Sequence, residues 1–581
     1  MEMLFCFVFV SIVPLTASTF SPGNTYSNCD PVIKCTTCRG YYRKSSFRTI
    51  DGTCNNLRRK TQGAAHTFLG RLLPPDYYDP KRLDTPRGFP GTTPSVPTAH
   101  EVSRAVFGVQ YRNKQHAKGL SSLFMGFGQF VDHDFALTPH ASCNVSAGCG
   151  SLDAFKYPCF PIKFSNSGSR CTSFGRSFPV CQGNSKKKRD FPNVLSSYLD
   201  LSQVYSNEFK VHQSLRKLDG SGELKMTSSN LLPIAVPASA SSCRNPAGCS
   251  LVGDERGDEN IVLSAMHTLF ARHHNIIARA LKRRHRRWNE HKLFETARKI
   301  NIAVYQKIVY NEFVSVLGTV ERYRGYKPYV DASIVAVFST AAFRFGHSLV
   351  PNSWAMLDKS FNKAMDDISL QASFFNTTSL RTHGIEPIVY GLCANQSQVV
   401  DTKFASGLVR KLFVPVGHHG YSDLAALNIQ RGRDHGIRTY GHWRRLCRLK
   451  TLNTWKDLIG LIPASVIKAF KKLYKRPHDI DLFAAGIAEK HVRGKVLGET
   501  FHCIVTNQFE RLRNGDRFYY ERPGVFTWAQ RRSINRMTMA KVLCNTLNGV
   551  VSMQRKALEA FIPGSKRPEC TSIPGLDMRL W

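Results

Sequence analysis

Gly126-Phe-Gly-Gln-Phe-Val-Asp-His-Asp134 is the stretch on which the reading of this chain turns. Its apolar context predicts a helix, and two glycines inside a helix cost stability. They are tolerated where something must approach the backbone closely. Gln129 and His133 are four apart and share one helix face. Asp132 and Asp134 fall to either side of that face. One short helix thus offers a base over a cavity, a carboxylate at the cavity edge and a second carboxylate turned away. On its own, Asp-His-Asp also fits a surface charge cluster.

Three further segments are as dense in chemistry. Gly253-Asp-Glu-Arg-Gly-Asp-Glu-Asn260 leads into a helical stretch, Met266-His-Thr-Leu-Phe-Ala-Arg-His-His-Asn275. Thr340-Ala-Ala-Phe-Arg-Phe-Gly-His-Ser348 predicts a helix with Arg344 and His347 on one face. Ala426-Leu-Asn-Ile-Gln-Arg-Gly-Arg-Asp-His-Gly436 sets polar groups beside apolar ones. Helical spacing dominates around them. Leu263, Met266, Phe270, Ile277 and Leu281 follow it, as do Phe294, Ala297, Ile300, Val304 and Ile308, and Ile334, Val337, Ala341 and Phe345. Alternating strand patterns are short and rare, so the fold class is mainly α. A length of 581 residues suggests about four domains. No linker divides the chain, and the stretches 73–98 and 232–249 read as loops within one domain. The expected division is a leader over 1–18, a short extension or propeptide over 19–47, and one large domain over 48–575.

The leader rests on the apolar run Leu4 to Leu15, followed by the small residues Thr16-Ala17-Ser18. Glu2 departs from the usual basic start. No later stretch is apolar enough to cross a bilayer. Of 17 cysteines, Cys6 lies in the leader, and the even remainder predicts disulfides in an oxidising compartment. The spacings Cys143 to Cys149 and Cys243 to Cys249 suggest locally closed loops. Cys35-Thr-Thr-Cys38 would suit zinc but has no second pair. Sequons at Asn144, Asn376 and Asn395 fit a secreted glycoprotein. The formal net charge is +38, with basic runs at Lys186 to Arg189 and Lys282 to Arg287. The first could also be a processing site. In a secreted chain such charge points to anionic glycans, cell surfaces or anionic small substrates rather than nucleic acid. For any single run a solvated face is the simpler account.

These four segments, in this order, resemble the animal haem peroxidases of the peroxidase–cyclooxygenase superfamily, the group of myeloperoxidase, thyroid peroxidase and peroxidasin. The resemblance runs from about Tyr42 to Cys570 and includes Arg71-Leu-Leu-Pro-Pro75 and Arg513-Asn-Gly-Asp-Arg517. It implies a haem between central helices and a secreted enzyme that spends hydrogen peroxide, through a ferryl haem, on halides, thiocyanate or phenolic donors. It implies His133 as distal histidine, Gln129 as its neighbour and Arg256 as distal arginine. His347 would be the proximal iron ligand, with Asn428 orienting its ring. Asp132 and Glu259 match the carboxylates that form ester links to haem b, and Arg344 and Arg431 are candidates for its propionates. Asp134, with Ser196, Tyr198 (through its carbonyl), Asp200 and Ser202, matches a calcium site, and alternate oxygen ligands on one loop suit that hard cation.

The chemistry accounts for the residue types. A neutral histidine can take a proton from one peroxide oxygen and return it to the other. A fixed arginine stabilises charge developing as the O–O bond breaks. Three positions depart from the pattern. Asn260 stands where myeloperoxidase has a Met that forms a third haem link, which favours iodide, bromide, thiocyanate or phenols over chloride. His273 replaces a Glu, implying a changed packing or hydrogen bond near the site. Arg256-Gly-Asp258 spells an adhesion tripeptide, but Arg256 over a haem could not be displayed. Two other functions remain open. A fatty-acid oxygenase of the cyclooxygenase branch needs a Tyr three residues before the proximal histidine, where this chain has Arg344. An adhesion or matrix protein on the same scaffold would not need the full catalytic set that is present.

Overall fold

Helix α1, Ser122–Phe135, covers the quoted stretch. It belongs to a computed structural model that describes residue 38 and residues 45–581, except 79–83, 93–94, 110–115, 146–147, 165–169, 181–188, 236–244, 247 and 419–420. The leader, most of the expected extension and most of the first basic run lie outside the described residues. Phe124, Phe127, Phe130, Val131 and Phe135 of α1 are fully buried, each contributing roughly 2 kcal/mol of hydrophobic stabilisation. A helix apolar on so many sides belongs inside the protein.

Helix α2, Ile261–Arg284, packs on α1, and helix α3, Glu290–Ile308, packs on α2. Both begin at an asparagine cap: Asn260 accepts from the Leu263 amide and Asn289 from the Lys292 amide. The apolar series expected at helical spacing is buried in both helices. The two glycines of α1 explain how closely these parts sit. A methyl group on Gly126 would lie 2.6 Å from Cγ1 of Val262, and one on Gly128 would lie 3.1 Å from the Phe313 ring. Phe313 reaches that point because α3 continues as a π-helical turn, Val309–Val314.

The expected helix over 334–345 is broken. Helix α4, Ala336–Thr340, ends at Ala341, where φ is −133° and ψ is −65°. A 3₁₀ stretch, Ala342–Leu349, follows. Residues three apart eclipse one another in a 3₁₀ turn, so Arg344 and His347 still share a face, for a different reason. Helix α5, Leu424–Asp434, packs against α4, and helix α6, Glu499–Asn514, packs on the 3₁₀ stretch. Among the described residues the sheets are two-stranded. The longest pairs β1, Ser353–Leu357, with β2, Lys363–Ser369, antiparallel, with Trp354 opposite Ile368. The fold is mainly α, as expected.

Five disulfides join described cysteines: Cys38–Cys54, Cys143–Cys159, Cys149–Cys171, Cys447–Cys503 and Cys544–Cys570. Cys143 and Cys149 therefore do not close a loop on each other, because each is bonded to a more distant cysteine instead. Cys243 lies outside the described residues. Cys38 is spent in a disulfide and is unavailable to zinc. Cys393 is a free, buried thiol, so pairing does not extend to every cysteine after the leader.

The contact at Gly126 yields a direct test. Gly126→Ala should destabilise the protein by about 1–3 kcal/mol, since Val262 must move in a packed core. An unchanged denaturation midpoint would show that the two helices are less tightly apposed.

Candidate functional site

Helix α1, the segment ending at the cap of α2, the 3₁₀ stretch and α5 meet at a cavity of about 350 Å³. Gln129, Asp132, His133, Arg256, Glu259, Asn260, Arg344, His347 and Arg431 all line it. The cavity also has a large apolar lining that includes Phe124, Phe313, Phe343, Trp354, Phe374 and Phe413. Its volume and mixed lining suit a flat, largely apolar cofactor with a few polar anchors.

On one wall, α1 presents His133. Burial holds its pKa well below the ordinary histidine value, and the positive charge of Arg256 adds to this. The ring is therefore neutral near pH 7. Arg256 is fixed by donation from Nε and Nη2 to the two oxygens of Asp254, at 2.8 and 2.7 Å, and from Nη1 to the Ala136 carbonyl at 3.1 Å. Burial alone would raise the pKa of Asp254, but Arg256 outweighs it and the value falls to about 2. Asp254 also stands 3.8 Å from Nδ1 of His133, a buried nitrogen with no hydrogen-bond partner. This carboxylate sits among four acidic residues between 254 and 259, and nothing in the sequence pattern distinguished it. Asp258 turns away into the protein and accepts from the Ser250 amide at 2.6 Å. The adhesion tripeptide is thus not displayed, as Arg256 lines the cavity and Asp258 is buried.

Beside this wall runs a chain of amides and acids. Gln129 donates to Glu259 at 3.1 Å and accepts from Asn260 at 3.0 Å. Asn260 is therefore both the cap of α2 and a brace for Gln129. A cap is legible in sequence as Asn before an apolar helix, and that signal was overlooked. Burial raises Glu259 to about 7 and Asp132 to about 6, so both hold their protons far more readily than surface acids.

The 3₁₀ stretch brings His347 to the same cavity, where its Nδ1 is hydrogen-bonded to the Asn428 amide at 2.8 Å. Arg344 donates to Oδ1 of Asn428 at 2.8 Å. Burial, with Arg344 close by, pushes His347 down to about 3. Arg344 has no carboxylate within 4 Å among the described residues, and burial together with Arg431 lowers it to about 10. Arg431 differs, being paired with Asp434 at 3.0 Å. One of the two expected propionate partners is thus an uncompensated cation, and the other is already neutralised.

Behind α1, the expected cation ligands come together. Ser202 donates from its amide to Oδ1 of Asp134 and from its hydroxyl to the Asp134 carbonyl, both at 2.6 Å. Ser196 donates to Asp200 at 2.7 Å. Oδ2 of Asp134 and Oδ1 of Asp200 are buried without a hydrogen-bond donor. Burial raises Asp134 well above the carboxylate range and Asp200 to about 6. Tyr198 is buried, and its hydroxyl bonds the Gln62 carbonyl, leaving only its own main chain for the site. His273 does not line the cavity. Its Nδ1 is hydrogen-bonded to Asn301 at 2.7 Å in a buried network with Tyr205 and His274.

Comparison with known proteins identifies the family. The chain matches the family described as animal haem peroxidase over residues 47–558. It is 34% identical to pig thyroid peroxidase over 96% of the chain and 65% of that protein. It is 34% identical to human eosinophil peroxidase over 92% of the chain and 79% of that protein, and 35% identical to human lactoperoxidase over 95% and 82%. Peroxidase A from Dictyostelium discoideum superposes with a TM-score of 0.76 at 29% identity, covering 89% of this chain and all of that one. A fatty acid alpha-dioxygenase from Oryza sativa superposes at 0.71 with 18% identity, over 93% and 90%, which is a likeness of fold alone.

The Asp254–Arg256 pair sets a stability test. Asp254→Ala should cost about 3 kcal/mol or more by stranding a charge in the interior. Adding Arg256→Met should recover part of the loss. A single variant within about 0.5 kcal/mol of wild type would show that the pair does not hold this wall.

Proposed function

The chain belongs to the animal haem peroxidase family, and from that premise we propose that it is a secreted enzyme that reduces hydrogen peroxide and oxidises a halide, thiocyanate or phenolic donor. The observation that carries this reading is the convergence of two neutral histidines on one cavity, His133 beside a fixed cation and His347 tied to Asn428.

Haem, when bound, supplies the iron that binds peroxide and the redox capacity that the donor discharges. The chain's own residues do the rest. His347 would hold the iron through Nε2, with Asn428 fixing the ring. The uncompensated charge of Arg344 suits a propionate, and Asp132 and Glu259 suit the ester links that the family forms. His133, neutral at working pH, accepts a proton from peroxide and returns it to the departing oxygen. Arg256 needs no reorganisation to stabilise the charge on that oxygen, because Asp254 and the Ala136 carbonyl already fix it. Asn260 offers no sulfur for a third link, which favours iodide, bromide, thiocyanate or phenols over chloride. Fatty-acid oxygenation is disfavoured by Arg344 three residues before His347.

We assign calcium to Asp134, Ser196, Tyr198, Asp200 and Ser202. Two buried carboxylates with free oxygen lone pairs suit a hard divalent cation, and Asp134 adjoins His133, so the ion would stiffen the same helix. Of the sequons, Asn144 and Asn395 are exposed and open to glycosylation, whereas Asn376 is half-buried.

The first test is an optical spectrum of the haem-loaded protein before and after one equivalent of peroxide. A Soret band that shifts and then recovers with iodide or a phenol is expected, and no band in haem-replete protein would defeat the assignment. His133→Ala should retain haem and lose peroxide reactivity by at least about 100-fold. His347→Ala should lose most bound haem, and a fully loaded, active variant would overturn its role. The calcium assignment makes a separate forecast. The folded-state values of Asp134 and Asp200 lie above the unfolded value, so the metal-free protein loses stability as pH rises through those values, about 6 for Asp200. Chelation should therefore lower Tm clearly at about pH 7.5 and little at about pH 4.5. An equal drop at both would count against these carboxylates.

A further inference from the structure

Helix α2 has two working ends. Its cap, Asn260, lines the cavity, and 24 residues later it stops at Arg284. At 1.5 Å per residue the two ends are roughly 36 Å apart. The far end opens into Lys282-Arg283-Arg284-His285-Arg286-Arg287-Trp288, the turn that leads to α3. Arg283, Arg284, Arg286 and Arg287 are exposed and Lys282 is half-exposed. None of Lys282, Arg283, Arg286 and Arg287 has a carboxylate within 4 Å among the described residues. This concentration of charge is thus not consumed by internal pairing.

The turn is also rigid. The His285 ring stacks on Trp288 with centroids 3.9 Å apart and planes 4° from parallel. The Lys292 ammonium lies 4.2 Å over the same indole. His285 is hydrogen-bonded to the Trp581 main-chain oxygen at 2.8 Å, and Arg284 donates to that oxygen at 3.1 Å. Helix α7, Trp528–Asn535, packs on α3 and carries the exposed Arg532. A preorganised cluster loses little conformational freedom when it binds.

We propose that this knuckle is a docking site for a sulfated glycan, which would anchor the protein while leaving the cavity open. Arginine outnumbers lysine in it, and the guanidinium fork pairs two hydrogen bonds at once with sulfate or carboxylate groups. Short runs rich in Lys and Arg are the sequence form that such polyanion sites take. A bilayer is the alternative that the test separates: Trp288, the aromatic of the turn, is covered by His285 and Lys292, whereas Trp528 of the neighbouring helix is exposed. The site needs the chain to reach the extracellular space, as proposed above, but binding and secretion fail separately and are measured separately.

The test uses the haem-loaded protein on immobilised heparin at about 0.15 M salt. Arg283→Ser/Arg286→Ser/Arg287→Ser should raise Kd about tenfold. The comparison variant is Lys468→Ser/Lys471→Ser/Lys472→Ser, which removes the same charge from an exposed face of the helix Ala464–Leu473. It should stay within about twofold. Peroxide turnover of the wild type should be unchanged at saturating heparin. Equal weakening in both variants would reduce the effect to net charge, and an unaffected arginine variant would remove the site. Binding to phosphatidylserine vesicles that depends on these arginines, with no such dependence for heparin, would replace the proposal with a membrane contact.

Discussion

A single helix has to satisfy opposite demands, and the rest of the structure follows from that. α1 must be apolar enough to run through the core, yet deliver Gln129, Asp132 and His133 to a cavity on one side and Asp134 to a polar cluster on another. Charged groups cannot simply be placed in such an interior, because leaving water without partners costs several kcal/mol per ion. Each therefore arrives with a compensation. His133 is neutral, Arg256 is matched by Asp254, and the Asp134 carboxylate accepts from the amide of Ser202. The glycines are part of the same solution. With side chains at 126 and 128, neither Val262 nor Phe313 could come so near, and the polar face would have to share its space with voids.

The pattern of compensation separates scaffolding from site. Where a buried charge serves the frame, the structure pairs it: Arg87 and Arg433 with Asp481, Arg176 with Asp434, Arg444 with Glu489. Around the cavity some charges are left unmatched. Arg344 has a lowered pKa, and Asp132 and Glu259 hold their protons unusually well. Such groups are costly in an empty pocket and suit a pocket built for something charged and redox-active.

Much of this was legible in sequence where a local rule carries the information. Helical periodicity located α2 and α3, and the glycines of α1 announced a close approach. Most residues expected at the site converge on one cavity, and the expected cation ligands gather in one cluster behind it. What local rules could not reach depended on three-dimensional choice. The series Ile334, Val337, Ala341 and Phe345 satisfied helical spacing, but the chain breaks at Ala341 and tightens to 3₁₀, which brings Arg344 over Asn428. Asp254 was one acid among several until its geometry set it apart. Cysteine spacing along the chain said little about pairing, since Cys143 and Cys149 each reach a more distant partner. Asn260 was read as a missing methionine, while its standing role as cap and brace follows from its position before Ile261.

Cys393 places a further demand on a protein that works with peroxide. It is unpaired and wholly enclosed, and burial pushes its thiol up to about 12. Oxidants attack the thiolate rather than the thiol, so near neutrality almost none of the reactive form exists. The first rung of sulfur oxidation is thereby withheld from this residue. The interior acts as chemical armour, letting the chain keep an unoxidised sulfur while handling an oxidant of its own.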